Sequence, residues 1–363
     1  IYMSKGKEWI AGIDILKIIS MLMIITLHTL GHGGVLDNIV FMSRKYECAW
    51  LLEIFCYGAV NCYALISGFL EANFRVKKVI VLWMEVLFYG ILISVIMSMI
   101  FGWDLLSKEA WICTFFPVCT RKNWYISAYI GMLCFVPFLK IVIDKIEQKT
   151  YKKCLMIMFL IYSVLPTSIR LLTGTGDYDA FGIKSGYGTL WLIILYLTGA
   201  YIYRYQEKKK KVSFFLIGFI CLSFITVLFK LGADKMNLQS YGNILVSYTS
   251  PTIVSGSVML LIFSSNIKIK QQRVCKIIRK IANASLGVYL IHDNDIIRMK
   301  ILSNIVAGYW NYSFVKMFVK IFGIIICIYV ICTLIEIVRE KLFKALNVDG
   351  KVEKLIEKKK LIK

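Results

Sequence analysis

Runs of about 20 largely apolar residues recur along almost the whole of this 363-residue chain. Each run is long enough to cross the hydrocarbon core of a bilayer as a single helix. Apolar residues make up 58% of the sequence and charged residues only 18%, whereas soluble domains carry about 25% charged residues. The repeated runs therefore predict an all-α polytopic membrane protein and exclude a soluble fold built around one to three cores.

The apolar runs divide the chain into about ten predicted transmembrane helices. The predicted spans are 12–31, 49–70, 77–101, 124–143, 154–172, 188–203, 213–231, 242–264, 284–305 and 314–338. The ninth is the least regular, because Asp293, Asn294 and Asp295 interrupt it. These spans predict one integral membrane domain over residues 1–345, followed by a basic cytoplasmic tail over residues 346–363.

The net charge of +22 would suit a nucleic acid, but the positions of the basic residues argue against that partner. About 30 of the 44 Lys and Arg residues fall in alternate loops and at the two ends of the chain. This bias follows the positive-inside rule for an even number of helices, so both termini are predicted to be cytoplasmic. The tail is expected to lie on anionic lipid headgroups, and the Lys- and Ile-rich composition favours a bacterial inner membrane.

Ionisable residues at membrane depth are costly, so each is a candidate functional residue. Lys17 and His28 are eleven residues apart, which places them on one helical face about 16 Å apart along the axis. A cation near the cytoplasmic end and an imidazole near the outer end of one helical face would suit a long anionic ligand such as coenzyme A. Snorkelling of both side chains to the two interfaces is the alternative. Glu53 and Glu85 also lie within spans and need partners.

Four short motifs follow one another along the predicted helices. They are Asp14-x-x-Lys17-x10-His28, Asn61 followed by Ser67-Gly68-Phe69, Asn123-Trp124-Tyr125, and Ser285-x-Gly287-x-Tyr289-x-x-His292. In this order the motifs resemble membrane acyltransferase family 3, and the resemblance covers nearly the full chain. The family carries Arg where this chain has Lys17, which keeps the charge but loses the planar fork that binds phosphate bidentately.

The resemblance implies transfer of an acyl group, most simply acetyl, from cytoplasmic acyl-CoA to a hydroxyl of a cell-surface or lipid-linked glycan. His28 would act as general base or as an acyl relay. His292 and Tyr289 would orient that base or stabilise the oxyanion. The residues expected to bind the CoA phosphates are Lys17, Asp14, Lys77 and Lys78, and those expected to contact the acceptor are Asn61, Ser67, Trp124, Tyr125 and Arg170.

Each motif also has a purely structural interpretation. Ser67 and Gly68 would allow close helix packing, Trp124 suits an aromatic belt at the membrane surface, and Arg170 would snorkel. Tyr289 and His292 share a face with Ser285, and such a polar stripe also suits hydrogen bonding between helices.

Acetyl-CoA is predicted as a co-substrate, and no permanently bound cofactor or metal is expected. His28 and His32 have the i, i+4 spacing of a metal-binding pair but lack an obvious third ligand. The expected partners are membrane lipids, acyl-CoA and a glycan acceptor, with a homodimer left open. Two other function classes also stay open: a transporter or flippase of a glycan or lipid intermediate, and a membrane-bound sensor.

Overall fold

The computed structural model describes residues 9–103, 107–120, 122–174, 179, 181–206 and 212–361, with side chains up to residue 358. Over these residues the chain forms helices and loops and no strand. The helices are α1 Ala11–Leu30, α2 Val35–Asn38, α3 Arg44–Cys56, α4 Ala59–Phe69, α5 Val76–Phe101, α6 Lys108–Phe115, α7 Trp124–Lys145, α8 Gln148–Phe159, α9 Leu165–Thr173, α10 Thr189–Tyr205, α11 Ser213–Lys235, α12 Gln239–Gly242, α13 Pro251–Ser265, α14 Gln272–Asn283, α15 Ser285–His292, α16 Asp295–Ile297, α17 Phe314–Ala345 and α18 Val348–Leu361. The all-helical fold is as predicted.

Seven helical stretches in the described residues are long and apolar enough to cross a membrane. They are Ala11–Asn38, Arg44–Phe69, Val76–Phe101, Trp124–Lys145, Gln148–Thr173, Ser213–Lys235 and Phe314–Ala345. These correspond to predicted spans one to five, seven and ten. The sixth predicted span forms the 17-residue α10 and the eighth the 15-residue α13. A count of ten therefore stays a prediction, as does the side of the membrane on which each end lies.

The ninth predicted span, 284–305, is wrong as a continuous helix. Helix α15 ends at His292, and Asn294 then caps the short α16 by accepting a hydrogen bond from the backbone N–H of Ile296. A π-helical turn over Arg298–Leu302 follows. Short polar side chains compete for backbone hydrogen bonds and favour caps over helix interiors, so the Asp-Asn-Asp sequence ends α15. The break leaves a polar segment at the end of α15, in which Asp293 and Asn294 are buried.

Two other spans are shorter or less regular than predicted. The second is divided between α3 and α4 at Tyr57 and Gly58. The eighth begins only at Pro251, because proline fits the first turn of a helix and not its interior. Residues 242–250 instead form turns and a loop at the N-terminal end of α13.

Small residues let α4 and α10 pack closely at the centre of the bundle. A Cβ placed on Gly68 would lie 1.9 Å from the Tyr196 carbonyl oxygen, and one on Gly199 would lie 2.0 Å from the Leu65 carbonyl oxygen. Since both neighbours are backbone atoms, neither position has room for a side chain. The packing interpretation of Gly68 is thus confirmed.

Contacts at one end of the bundle join segments that were predicted to be cytoplasmic. Arg204 donates a 2.6 Å hydrogen bond to Glu71 and also binds Asp144. The tail helix α18 packs against α5, where Lys77 donates a 2.8 Å hydrogen bond to Glu353. The structure therefore groups even-numbered loops with the tail, in the arrangement that the charge bias predicts. The basic residues of the tail beyond residue 358, and those at 5, 7 and 208–211, lie outside the described side chains.

Candidate active site

Two of the three histidines face each other across α1 and α15. Nδ1 of His28 lies 3.2 Å from Nε2 of His292, and their ring centroids are 5.2 Å apart. His292 is 2% exposed, whereas the His28 side chain is 23% exposed. The site therefore has one fully buried imidazole next to one that is partly exposed.

The hydrogen bonds determine where the protons lie when both rings are neutral. Nδ1 of His292 is 2.6 Å from the Val288 carbonyl oxygen, which can only accept, so this nitrogen carries the proton. Nε2 of His292 is then an acceptor, and Nδ1 of His28 must donate to it. The remaining nitrogen, Nε2 of His28, therefore keeps a free lone pair. A neutral His28 is a proton acceptor or nucleophile at that atom.

An acidic residue, Asp293, lies next to the same pair of histidines. The Asp293 carboxylate lies 3.6 Å from Nδ1 of His28 and is itself held by a 3.2 Å hydrogen bond from Arg298. Arg298 also binds Asp295 at 2.7 Å. A proton taken up at Nε2 would give an imidazolium with its other N–H facing this carboxylate. Asp293 entered the sequence analysis only as an interruption of a span, and its place one residue after the motif His292 is the signal that was missed.

A chain of aromatic rings connects the four motifs. The ring centroids of Tyr289 and His292 are 6.3 Å apart, those of Tyr289 and Tyr125 6.2 Å, and those of Tyr125 and Tyr63 6.5 Å. Tyr63 also donates a 2.7 Å hydrogen bond to the carbonyl oxygen of Lys17. The structure thus brings α1, α4, α7 and α15 together around one site, although their motifs are far apart in sequence.

Lys17 is buried and paired within its own helix. Its ammonium group donates a 2.7 Å hydrogen bond to Asp14, whose second oxygen accepts another from the Trp9 indole. Snorkelling does not describe this geometry, since Lys17 is only 6% exposed. Lys77, at the start of α5, is instead bound to Glu353 in α18. Binding of CoA phosphates by Lys17, Asp14, Lys77 and the half-buried Lys78 stays a prediction.

Other predicted acceptor-binding residues have internal partners. Asn61 donates to the Tyr248 carbonyl oxygen at 2.8 Å and accepts from the Trp191 indole at 3.0 Å. Ser67 donates to the carbonyl oxygen of Tyr63 one turn earlier. Both are completely buried, so their observed contacts stabilise the packing of α4. Their role toward an acceptor stays a prediction.

Trp124 and Arg170 differ in their surroundings. Trp124 is half-buried at the start of α7, with its ring centroid 5.6 Å from that of Tyr125 and 4.5 Å from that of Tyr187. Arg170 is half-buried near the C-terminal end of α9. Trp124 therefore adjoins the ring chain of the site, whereas a role for Arg170 stays a prediction.

Several buried hydroxyl groups near this site have no hydrogen-bond partner. They are the hydroxyls of Ser20, Tyr125, Ser285, Tyr289, Tyr329 and Thr333. Ser20 lies one turn beyond Lys17 on the face that leads to His28, and the others lie on α7, α15 and α17. Helices α1, α15 and α17 contact one another. Unpartnered buried hydroxyls are costly, and their helical spacing was the available sequence signal for Tyr329 and Thr333.

Two buried acids on α5 and α17, Glu85 and Glu336, are paired with Arg339. Glu85 accepts a 3.2 Å hydrogen bond from Arg339 of α17. Arg339 also binds Glu336, which accepts a hydrogen bond from Tyr89. Among the described residues no group of three or more His, Cys, Asp or Glu side chains suits a metal ion.

The apolar helices and the buried polar site define a multi-pass membrane protein with a histidine-centred site inside its bundle. The family model described as an acyltransferase domain, of the acyltransferase 3 type, matches residues 10–337. Since the match covers nearly the whole chain, this protein belongs to the membrane acyltransferase 3 family. No similar protein was found among curated proteins, and no similar fold was found among solved structures.

Proposed function

We propose that this protein transfers an acyl group, most simply acetyl, from cytoplasmic acyl-CoA to a hydroxyl of a cell-surface or lipid-linked glycan. The observation that carries the proposal is the orientation of the two histidines. The Val288 carbonyl and His292 together hold the proton of His28 on Nδ1 and leave Nε2 free. Family membership supports the reaction type, and the site supplies the base that such a reaction needs.

The donor would enter from the cytoplasmic end, near Lys17 and Asp14. These residues, with Lys77 and Lys78, would contact the CoA phosphates. The pantetheine arm is thin and carries two amides, so it needs hydrogen-bond partners along its length. The unpartnered hydroxyls between the level of Lys17 and that of His28 supply donors and acceptors for such an arm. Ser20 and Ser285 lie on the predicted cytoplasmic side of His28 and His292, in the position that this route requires.

In the simplest mechanism His28 acts as a general base. Nε2 of His28 removes the proton from the acceptor hydroxyl while the oxygen of that hydroxyl attacks the thioester carbonyl carbon. The resulting tetrahedral intermediate collapses when the C–S bond breaks, and the imidazolium returns the proton to the CoA sulfur. The buried Tyr289 hydroxyl would donate a hydrogen bond to the oxyanion. Asp293 would stabilise the imidazolium while it holds the proton.

A covalent route uses the same atom differently. Nε2 of His28 would attack the thioester itself, break its C–S bond to release CoA as the thiolate, and carry the acyl group as an acyl-imidazolium. The thiolate would take up the proton that the acceptor hydroxyl loses in the next step. The acceptor hydroxyl would then displace the imidazole and regenerate the free base. The hydrogen bonds of His28 suit either route, because both need the lone pair on Nε2.

A transporter of a glycan or lipid intermediate is the second candidate, favoured by the break after α15. Proteoliposomes containing the protein, [14C]acetyl-CoA and envelope membranes from cells that lack the protein separate the two. The enzyme predicts radiolabel covalently bound to carbohydrate, identified by mass spectrometry, and stoichiometric release of CoA. Movement of unmodified glycan across the bilayer, without labelled product, would overturn the acyltransferase proposal.

A further inference from the structure

Four aromatic side chains form a cluster beside the candidate active site. We call Tyr57, Trp124, Tyr187 and Tyr248 the aromatic cluster. The centroid of Tyr187 lies 4.5 Å from that of Trp124 and 5.0 Å from that of Tyr248, and the Tyr57 and Tyr248 centroids are 5.1 Å apart. The rings of Trp124 and Tyr248 are nearly parallel, at 21°. The four residues come from four distant parts of the chain, so the cluster exists only in the folded bundle.

The cluster connects the active site to the predicted outer surface. Trp124 adjoins Tyr125, which continues through Tyr289 to His292. Tyr187 is 37% exposed. It lies just before α10 begins at Thr189, and this end of α10 is predicted to face outward. The cluster therefore offers partly accessible aromatic surface on the side from which an acceptor would approach.

An acidic residue with an unusual environment lies next to this surface. Glu53 lies on α3, one helical turn before Tyr57, which directly follows that helix in helical conformation, so the two side chains share a face. It is only 9% exposed, and its Oε2 is the only fully buried carboxylate oxygen without a hydrogen-bond partner among the described residues. By contrast, buried Asp234 binds both Lys230 and Tyr46. Since an unpartnered buried carboxylate is costly, Glu53 points to a ligand.

We propose that the aromatic cluster and Glu53 form the subsite for a pyranose ring of the acceptor. A pyranose has C–H faces that pack on aromatic rings and an edge of hydroxyl groups that donate hydrogen bonds. A carboxylate accepts two such bonds at once, and sites of this kind combine aromatic walls with a few polar groups. The inference rests on the proposed function and names the residues that recognise its acceptor.

Specificity follows from the same arrangement. Stacking on Trp124 and Tyr187 would select the ring face, while Glu53 would select sugars with two free neighbouring hydroxyls. A hydroxyl already acylated, or replaced by hydrogen, cannot donate to the carboxylate. The subsite would therefore bind the sugar through unmodified hydroxyls next to the position that is acylated. The hydroxyl that reacts would remain free to contact His28.

The test is binding of a panel of methyl glycopyranosides to the purified protein, measured by saturation-transfer NMR in a detergent without a sugar headgroup. Glu53→Gln and Trp124→Leu are expected to weaken the best-bound glycoside by about tenfold or more. The matched controls are Glu47→Gln on the same helix and Trp310→Leu in another loop, both of which should bind as the parent protein does. Tyr187→Leu alters an exposed ring, so it decides the outcome if Glu53→Gln does not fold.

Acetyl-CoA binding, measured on the same samples by thermal stabilisation, separates this subsite from the proposed function. If no glycoside binds while acetyl-CoA still does, the proposed subsite alone is overturned. If acetyl-CoA does not bind the parent protein, the result counts against acyl transfer. An aromatic cluster with a carboxylate also suits a quaternary ammonium group. Binding of choline chloride in place of any glycoside, weakened by Glu53→Gln, would overturn the pyranose assignment.

Discussion

At the residue scale, the proposed role of His28 as a base would depend on groups that need not touch a substrate. His292 and the Val288 carbonyl determine which nitrogen of His28 is free, and Asp293 lies 3.6 Å behind its Nδ1. Catalytic imidazoles are commonly held in one tautomer by a second group of this kind. In this protein another imidazole holds the tautomer, and the carboxylate stands next to both.

Asp293→Asn tests the contribution of that carboxylate. The substitution keeps the size of the side chain and removes the charge that faces the imidazolium. We expect kcat to fall by about 10²-fold, at the lower end of the effect of general acid–base groups, while the KM for acetyl-CoA stays the same. Asp295→Asn is the matched control, since Asp295 binds Arg298 and has no contact of this kind with His28. An unchanged kcat in folded Asp293→Asn would remove Asp293 from the mechanism.

Substitutions at Lys17 separate donor binding from stability. Lys17→Arg keeps the cation and should retain activity, because Arg is the residue that the resembled family uses. Lys17→Met leaves the buried Asp14 carboxylate without its cation, so it should lower stability as well as activity. Asp14→Asn combined with Lys17→Met removes both charges and should recover stability, while the KM for acetyl-CoA stays raised by about tenfold or more. Recovery of the KM in the double variant would make the pair purely structural.

Single residues differed in how far the sequence revealed them. The motif spacing was sufficient to single out His28, His292 and Tyr289, which the fold brings close together, and their catalytic roles stay predictions. The motif spacing could not show whether Asn61 and Ser67 bind a substrate or the protein backbone, since the same amide or hydroxyl in the sequence suits either partner. That choice depends on which helices pack together.

At the scale of helices, close packing and breaks position the site. The contact between α4 and α10 needs glycine at both Gly68 and Gly199. Apolar length alone predicted α1, α5, α7, α11 and α17 well. It overestimated α13 and the segment after α15, because length does not register where proline or capping residues end a helix.

Gly68→Ala measures the importance of the contact between α4 and α10. A Cβ at Gly68 would meet a backbone oxygen at 1.9 Å, so the helices would have to separate. Overpacking of this kind typically costs about 1–3 kcal/mol, and we expect a lower midpoint of thermal unfolding in detergent. Gly323→Ala is the control, since nothing lies within 4 Å of a Cβ there. Equal midpoints for the two variants would contradict the described packing.

The pair of Lys77 and Glu353 predicts how the tail helix is held. The hydrogen bond from Lys77 lowers the pKa of the Glu353 carboxyl, so the pair is ionised at neutral pH and is lost as the pH falls through that lowered value. We expect Lys77→Glu to increase hydrogen exchange in α18, because two like charges then face each other. The reciprocal change, Lys77→Glu with Glu353→Lys, should restore protection. Unchanged exchange in Lys77→Glu would mean that other contacts hold α18.

At the scale of the whole molecule, the site lies inside the helix bundle, between its predicted cytoplasmic end and its predicted outer end. The predicted cytoplasmic loops and the tail meet at one end, close to Lys17, and the aromatic cluster lies toward the other. Donor and acceptor would therefore reach His28 from opposite ends. The charge bias anticipated which loops share an end, whereas the convergence of four distant motifs required the fold.

The most direct measurement compares His28→Ala with His32→Ala in the [14C]acetyl-CoA assay. His32 is an exposed neighbour whose ring lies 5.4 Å from that of His28. Loss of a general base predicts that label transfer to carbohydrate falls by about 10²–10⁴-fold in His28→Ala, with acetyl-CoA binding retained and with His32→Ala close to the parent protein. Full transfer by a folded His28→Ala variant would contradict the account.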